Sequence, residues 1–130
     1  METIDTNVLA RVFVDDPTSP KQCEMARQYV AKKKAFYVPQ VVQAELIWVL
    51  KRFHKIDKND IVVILEMLAN NAAYTLENSE EFKEALVLYK QSIADFPDCL
   101  VLVNSKQQDI KTVITFDKRF AKLPGVKMLQ

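Results

Sequence analysis

Apolar positions along this chain recur with two different periods. Short runs rich in β-branched and aromatic residues alternate with longer stretches whose apolar side chains return every three or four positions. Residues 3–5 form a short extended run, and a helical pattern follows over 7–14 until Asp15-Asp16-Pro17 breaks it. Ser19 is placed as an N-cap with Pro20 at the first helical position, and Cys23, Ala26 and Val30 supply an inner face. Lys32, Lys33 and Lys34 close that helix, where cations suit the helix dipole.

A strand is predicted at 35–38 (AFYV), ended by Pro39, and a helix over 40–54. Asp57 can cap the next helix, with Asp60 three residues on and an inner row at Ile61, Ile64, Leu65 and Leu68. A strand at 73–76 (AYTL) precedes a helix capped by Asn78 or Ser79, with Phe82, Ala85, Leu86, Tyr89 and Ile93 at helical spacing. Phe96-Pro97-Asp98 opens a further helix to about residue 108. Strands at 112–115 (TVIT) and 126–129 flank a short turn or helix at 116–121. Short strands alternating with longer helices imply the α/β class: three layers, α/β/α, around a central, mostly parallel sheet of four or five short strands. In such sheets the functional groups lie at the carboxyl ends of the strands.

Composition narrows the chemistry. At 130 residues the chain fits one domain, 1–130, large enough for a core without staples. A single glycine, Gly125, excludes a Gly-rich phosphate loop or a dinucleotide fingerprint. The net charge of +1 is not the footprint of bulk electrostatic binding to nucleic acid, so local patches or a metal would be needed. Cys23 and Cys99 make neither a disulfide framework nor a zinc site. No signal peptide and no membrane-spanning stretch is apparent, so a cytoplasmic protein is expected. His54, the only histidine, reads as a surface residue.

The acidic residues fit a bland reading less easily. Asp5 ends the first strand, Asp117 follows TVIT, Asp98 lies near the start of its helix, and Glu45 lies in the helix after AFYV. Each has an ordinary alternative: Asp5 and Asp98 as caps, Asp117 in a turn, Glu45 in a distant salt bridge. Glu45 has only Val41, Val42, Trp48 and Val49 at helical spacing, with no base among them, on a helix that reads as apolar on both sides. A carboxylate there needs a partner from elsewhere in the fold. One topology brings all four acids to one rim, where carboxylates repel unless a cation neutralises them. Oxygen ligands without His or Cys suit Mg²⁺ or Mn²⁺, and such an ion activates water and stabilises charge on phosphate. No Ser/His/Asp or Cys/His arrangement suggests acyl transfer. A phosphate-receiver domain would want adjacent acids after the first strand, and a haloacid-dehalogenase-type phosphatase a second Asp at position 7, which is Asn.

Four segments, IDTNVL, QAELIWVL, ADFPDCL and VITFDKRFAKLPGVKML, resemble the PIN-domain ribonucleases, most closely the VapC-type toxins of toxin–antitoxin pairs. They come in the family's order and span essentially the whole chain. Cys99 stands where the family commonly has Ala, and the segment 106–109 lacks a Gly often found there. The resemblance implies metal-dependent cleavage of RNA, with Asp5, Glu45, Asp98 and Asp117 as metal-binding catalytic acids, and Asp98 rather than Asp95 as the third. It implies Mg²⁺ or Mn²⁺, a homodimer, and inhibition by a cognate antitoxin. Asn7 and Thr115 match supporting polar positions, and Asp95 is a cap or a supporting acid. Lys118, Arg119 and Arg11, with Lys51 and Arg52, are candidates for gripping the RNA backbone. The alternative is a catalytically silent PIN-like module that binds RNA or protein.

Overall fold

The computed structural model describes residues 1–130. The chain divides into two compact units, Met1–Ser79 and Glu80–Gln130.

The first unit is built on three short parallel strands, β1 (Glu2–Thr3), β2 (Phe36–Val38) and β3 (Tyr74–Leu76), with β2 in the middle. Glu2 stands opposite Phe36, and Phe36 opposite Tyr74. Four helices connect and cover these strands: α1 (Thr6–Phe13), α2 (Pro20–Lys33), α3 (Gln40–Arg52) and α4 (Lys58–Asn70). α1 packs against both α2 and α3. Alternation in β2 buries Phe36 and Val38, and α3 buries Leu46, Ile47 and Leu50 completely. α4 follows its sequence pattern: Asp57 accepts the Asp60 N–H at 3.0 Å, and Ile61, Ile64, Leu65 and Leu68 are the buried row. α2 begins at Pro20 as its sequence requires, but Ser19 makes no side-chain cap bond.

The start of α3 follows Pro39, whose side chain has nothing to cap with. Glu77, just after β3, fills that role: its carboxylate accepts the Gln40 N–H at 2.7 Å. Gln43, fully buried, donates to the Val38 carbonyl at 3.1 Å and the Glu77 carbonyl at 2.9 Å, tying α3 to the carboxyl ends of β2 and β3.

The second unit contains α5 (Ser79–Gln91, its first residue in the first unit), α6 (Phe96–Gln107), and the parallel pair β4 (Val113–Thr115) and β5 (Val126–Met128), joined through a 3₁₀ turn at Phe120–Lys122. Phe96 packs edge-on against Phe82 (5.3 Å between ring centres) and Tyr89 (5.7 Å). Gly125, at φ 87°, makes the left-handed turn before β5 that a side chain would strain. Ile93 departs from the helical row expected of it: α5 ends at Gln91, and Ile93 is 56% exposed. The strands pair as a three-stranded and a two-stranded parallel set, rather than as one continuous ladder of four or five.

Candidate metal centre and its neighbours

Asp5 stands where β1 gives way to α1. It is the N-cap of α1, and its Oδ1 accepts the Thr6 N–H at 2.8 Å. Capping uses one carboxylate oxygen, and the other has no hydrogen bond or ion pair. Thr6 is only 4% exposed, and its hydroxyl donates to Glu45 Oε1 at 3.5 Å. One buried threonine therefore links Asp5, its neighbour in sequence, to Glu45, 39 positions further along the chain. The bond is long for O–H···O, as such bonds often are before a ligand draws them in.

Glu45 is exposed, which corrects the expectation of a helix buried on both sides. α3 turns Val42, Gln43, Leu46, Ile47 and Leu50 inward, while Val41 and Trp48, either side of Glu45, are 64% and 56% exposed. No Lys or Arg pairs with Glu45, and Arg52 stacks on the Trp48 ring at 4.0 Å instead. Solvent, rather than a cation, therefore meets the desolvation need of Glu45. Two exposed carboxylates share one threonine, and neither forms a salt bridge with a Lys or Arg.

In the second unit Asp95 is the N-cap of α6, accepting the Phe96 N–H at 2.9 Å. Asp98 lies in the first turn of that helix, where the helix dipole favours an anion, and is partly buried. Asp117 is exposed beyond β4. Its Oδ1 accepts the N–H groups of Arg119 (2.8 Å) and Phe120 (3.1 Å), and its own N–H donates to Thr115 Oγ1 at 3.0 Å. Thr115 thus orients the backbone that carries Asp117. Lys118 and Arg119 are exposed beside it.

The structure contains no group of three or more His, Cys, Asp or Glu side chains placed to hold a metal ion. What fits a metal is the donor chemistry: hard carboxylate oxygens, with neither His nor Cys among them, suit Mg²⁺ or Mn²⁺. Asn7 is exposed, and its carbonyl accepts Arg11 Nη1 at 3.2 Å. Arg11, a candidate for gripping RNA, also pairs with Asp16 at 3.5 Å and is only 22% exposed. Thr6 was not legible as a functional residue, since a threonine one place after an acid has no periodic signature. His54, expected at the surface, is partly buried.

A groove of about 680 Å³ in the first unit runs past Asp5 and Asn7 between α1 and α2, with Met25 and Tyr29 on its far wall. The PIN-domain family model matches residues 3–126, nearly the whole chain. The chain belongs to the PIN-domain family. It is also similar to a VapC ribonuclease of Aquifex aeolicus (strain VF5): 30% identical over 124 residues, covering 95% of this chain and 92% of the relative. Membership agrees with the α/β/α class read from the alternation of elements, and the short parallel strands and intervening helices of this PIN domain are the parts of such a fold. No helix in this PIN domain is long and apolar enough to cross a membrane.

Proposed function

We propose that this PIN domain is a divalent-metal-dependent endoribonuclease, the toxin of a toxin–antitoxin pair. The observation that carries the reading is the likeness to a VapC ribonuclease along 95% of the chain. The Asp5–Thr6–Glu45 arrangement supports it from the side of chemistry.

In this reading Asp5 and Asp98 bind the principal Mg²⁺ or Mn²⁺, and Glu45 and Asp117 complete the set. When bound, the ion lowers the pKa of water and offsets the charge that develops at the phosphate. The protein's part is positioning. The Thr6 N–H fixes one oxygen of Asp5 and leaves the other for the ion. The Thr6 hydroxyl steadies Glu45. The Arg119 and Phe120 N–H groups fix Asp117, and Lys118 and Arg119 are beside it to meet RNA phosphates. Asn7, two residues after Asp5, and Asp95, three residues before Asp98, support the acids in this reading. A homodimer, a cognate antitoxin and a cytoplasmic setting belong to the same proposal, as does one PIN domain over residues 1–130.

The test is RNA cleavage by purified protein with Mg²⁺ or Mn²⁺, with EDTA, and in Asp5→Asn and Asp98→Asn variants. Cleavage that needs the metal is expected, with a loss of at least about a hundredfold in each variant. A folded wild type that cuts no RNA with either metal, while binding RNA or protein as well as its variants do, would replace the enzyme with a silent binding module.

A further inference from the structure

α1, the loop at Asp16, Pro17 and Thr18, and the C-terminal end of α3 enclose a second groove, of about 450 Å³, wholly within the first unit. It begins at Asn7, two residues from Asp5, and ends at Phe53 and His54. Glu45, Val49 and Phe53 stand at i, i+4 and i+8, so one row of side chains leads from the candidate carboxylate to the far end of the groove. The distance along the helix axis is about 12 Å at 1.5 Å per residue.

Phe53 is 80% exposed, although it borders a core in which Leu46 and Leu50 are completely buried. Packing therefore gives it no reason to be aromatic. It is also held in place. The His54 N–H reaches the Val49 carbonyl at 3.3 Å, the Ile56 N–H reaches the Leu50 carbonyl at 2.9 Å, and Lys55 takes the left-handed conformation (φ 53°) that closes the helix. The ring is thus presented from a fixed helix end.

Its neighbours in sequence are cationic: the segment reads Lys51-Arg52-Phe53-His54-Lys55. One acid, Asp16, lines the groove itself beside Arg11, and its carboxylate is already engaged. Asp16 accepts the Thr18 N–H (3.0 Å) and hydroxyl (2.6 Å) and pairs with Arg11, and Asp57 caps α4. An exposed aromatic among basic side chains is the chemistry that holds single-stranded nucleic acid, with bases stacked on the ring and phosphates met by the cations. The volume lies in the range that takes a small ligand such as one nucleoside.

We propose that this groove seats one unpaired nucleotide of the RNA, close to the bond to be cut. Its base stacks on Phe53, Asn7 and His54 offer polar groups to the base edge, and Lys55 meets a flanking phosphate. A base must leave its duplex to enter, so the groove selects single-stranded RNA. The ligand's identity rests on the ribonuclease reading.

The experiment is fluorescence anisotropy on the full chain in EDTA, where no metal-dependent cleavage can occur, with a labelled mixed-sequence single-stranded RNA and a duplex of the same composition. Tighter binding of the single strand is expected. Phe53→Ala should weaken it about 5- to 100-fold, the range for loss of one stacked base, and Phe53→Trp should restore it. Because Phe53 is exposed, the melting temperature should hold, and with metal the KM should rise much more than kcat falls. If wild type cleaves RNA but Phe53→Ala binds the single strand with unchanged affinity and KM, the groove is not an RNA site, and the ribonuclease reading survives. If Phe53→Ala instead alters sedimentation with RNA affinity intact, Phe53 belongs to a protein interface and the proposal is overturned. A wild type that neither binds nor cuts RNA removes both readings together.

Discussion

Thr6 turns its two donors toward two different carboxylates, its N–H to Asp5 and its hydroxyl to Glu45. Valine has nearly the same shape and keeps the N–H, so Thr6→Val removes the hydroxyl alone. A well-formed hydrogen bond to a charged acceptor is worth about 1.5 kcal/mol, roughly tenfold in rate, and this 3.5 Å contact sets that as the upper bound. Cleavage by Thr6→Val is therefore expected to fall up to about tenfold, with a melting temperature lowered by a few degrees at most, and Thr6→Ser should recover most of the activity. A weaker response to Mn²⁺ titration in the valine variant would accompany the loss, because Glu45 would be less well held. Equal cleavage by wild type and Thr6→Val would show that the 3.5 Å contact does not matter to the site. Asp5 illustrates why single acids are ambiguous in sequence: it is a helix cap, and it also retains an unpaired oxygen, so the two readings are not exclusive.

At the scale of elements, α3 carries the most consequences. Its inner face is completely buried at Leu46, Ile47 and Leu50, while Val41, Trp48 and Phe53 are open to solvent. Trp48 has Arg52 flat against its ring, which steadies the indole without covering it. Exposed Val41 and Trp48 on one face supply apolar area for a second copy of the chain. Sedimentation velocity is expected to show a dimer at micromolar concentration, and Trp48→Glu should move it to monomer while leaving the melting temperature nearly unchanged. A wild type that stays monomeric to hundreds of micromolar would leave the exposed face to another partner. The periodicity of α3 was legible in the sequence, but its orientation was not. Apolar residues occur all round the helix, and only packing against α1 and the β2 and β3 ends chooses which of them are covered.

For the whole molecule, stability at alkaline pH follows from buried tyrosines. Tyr89 is 2% exposed, and burial, with Asp95 and Cys99 nearby, pushes its hydroxyl up to about 12. A group whose pKa rises on folding contributes stability that is complete below the unfolded value, near 10, and is lost as pH climbs through the folded one. Urea unfolding between pH 10 and 12 should therefore show stability falling, by up to about 1.4 kcal/mol per pH unit from this group. Burial also raises Tyr74, and burial with Glu77 raises Tyr37, so part of the slope will remain when Tyr89 is replaced. Tyr89→Phe is expected to flatten the decline, and an identical slope in the variant would mean that Tyr89 ionises freely in the folded chain.

The sequence by itself determined the order of strands and helices, the Asp57 cap, the buried row of α4 and the family resemblance. All of these are local: periodicity, capping and short motifs act over a few positions, where the chain's own covalent geometry sets what meets what. Only the tertiary structure decided that Glu45 faces solvent, that Glu77 caps a helix starting 37 positions earlier, that Thr6 joins Asp5 to Glu45, and that Phe53 stands uncovered at the end of a groove. Those outcomes depend on which distant surfaces exclude water from one another. Packing settles that for the chain as a whole, and no local pattern encodes it.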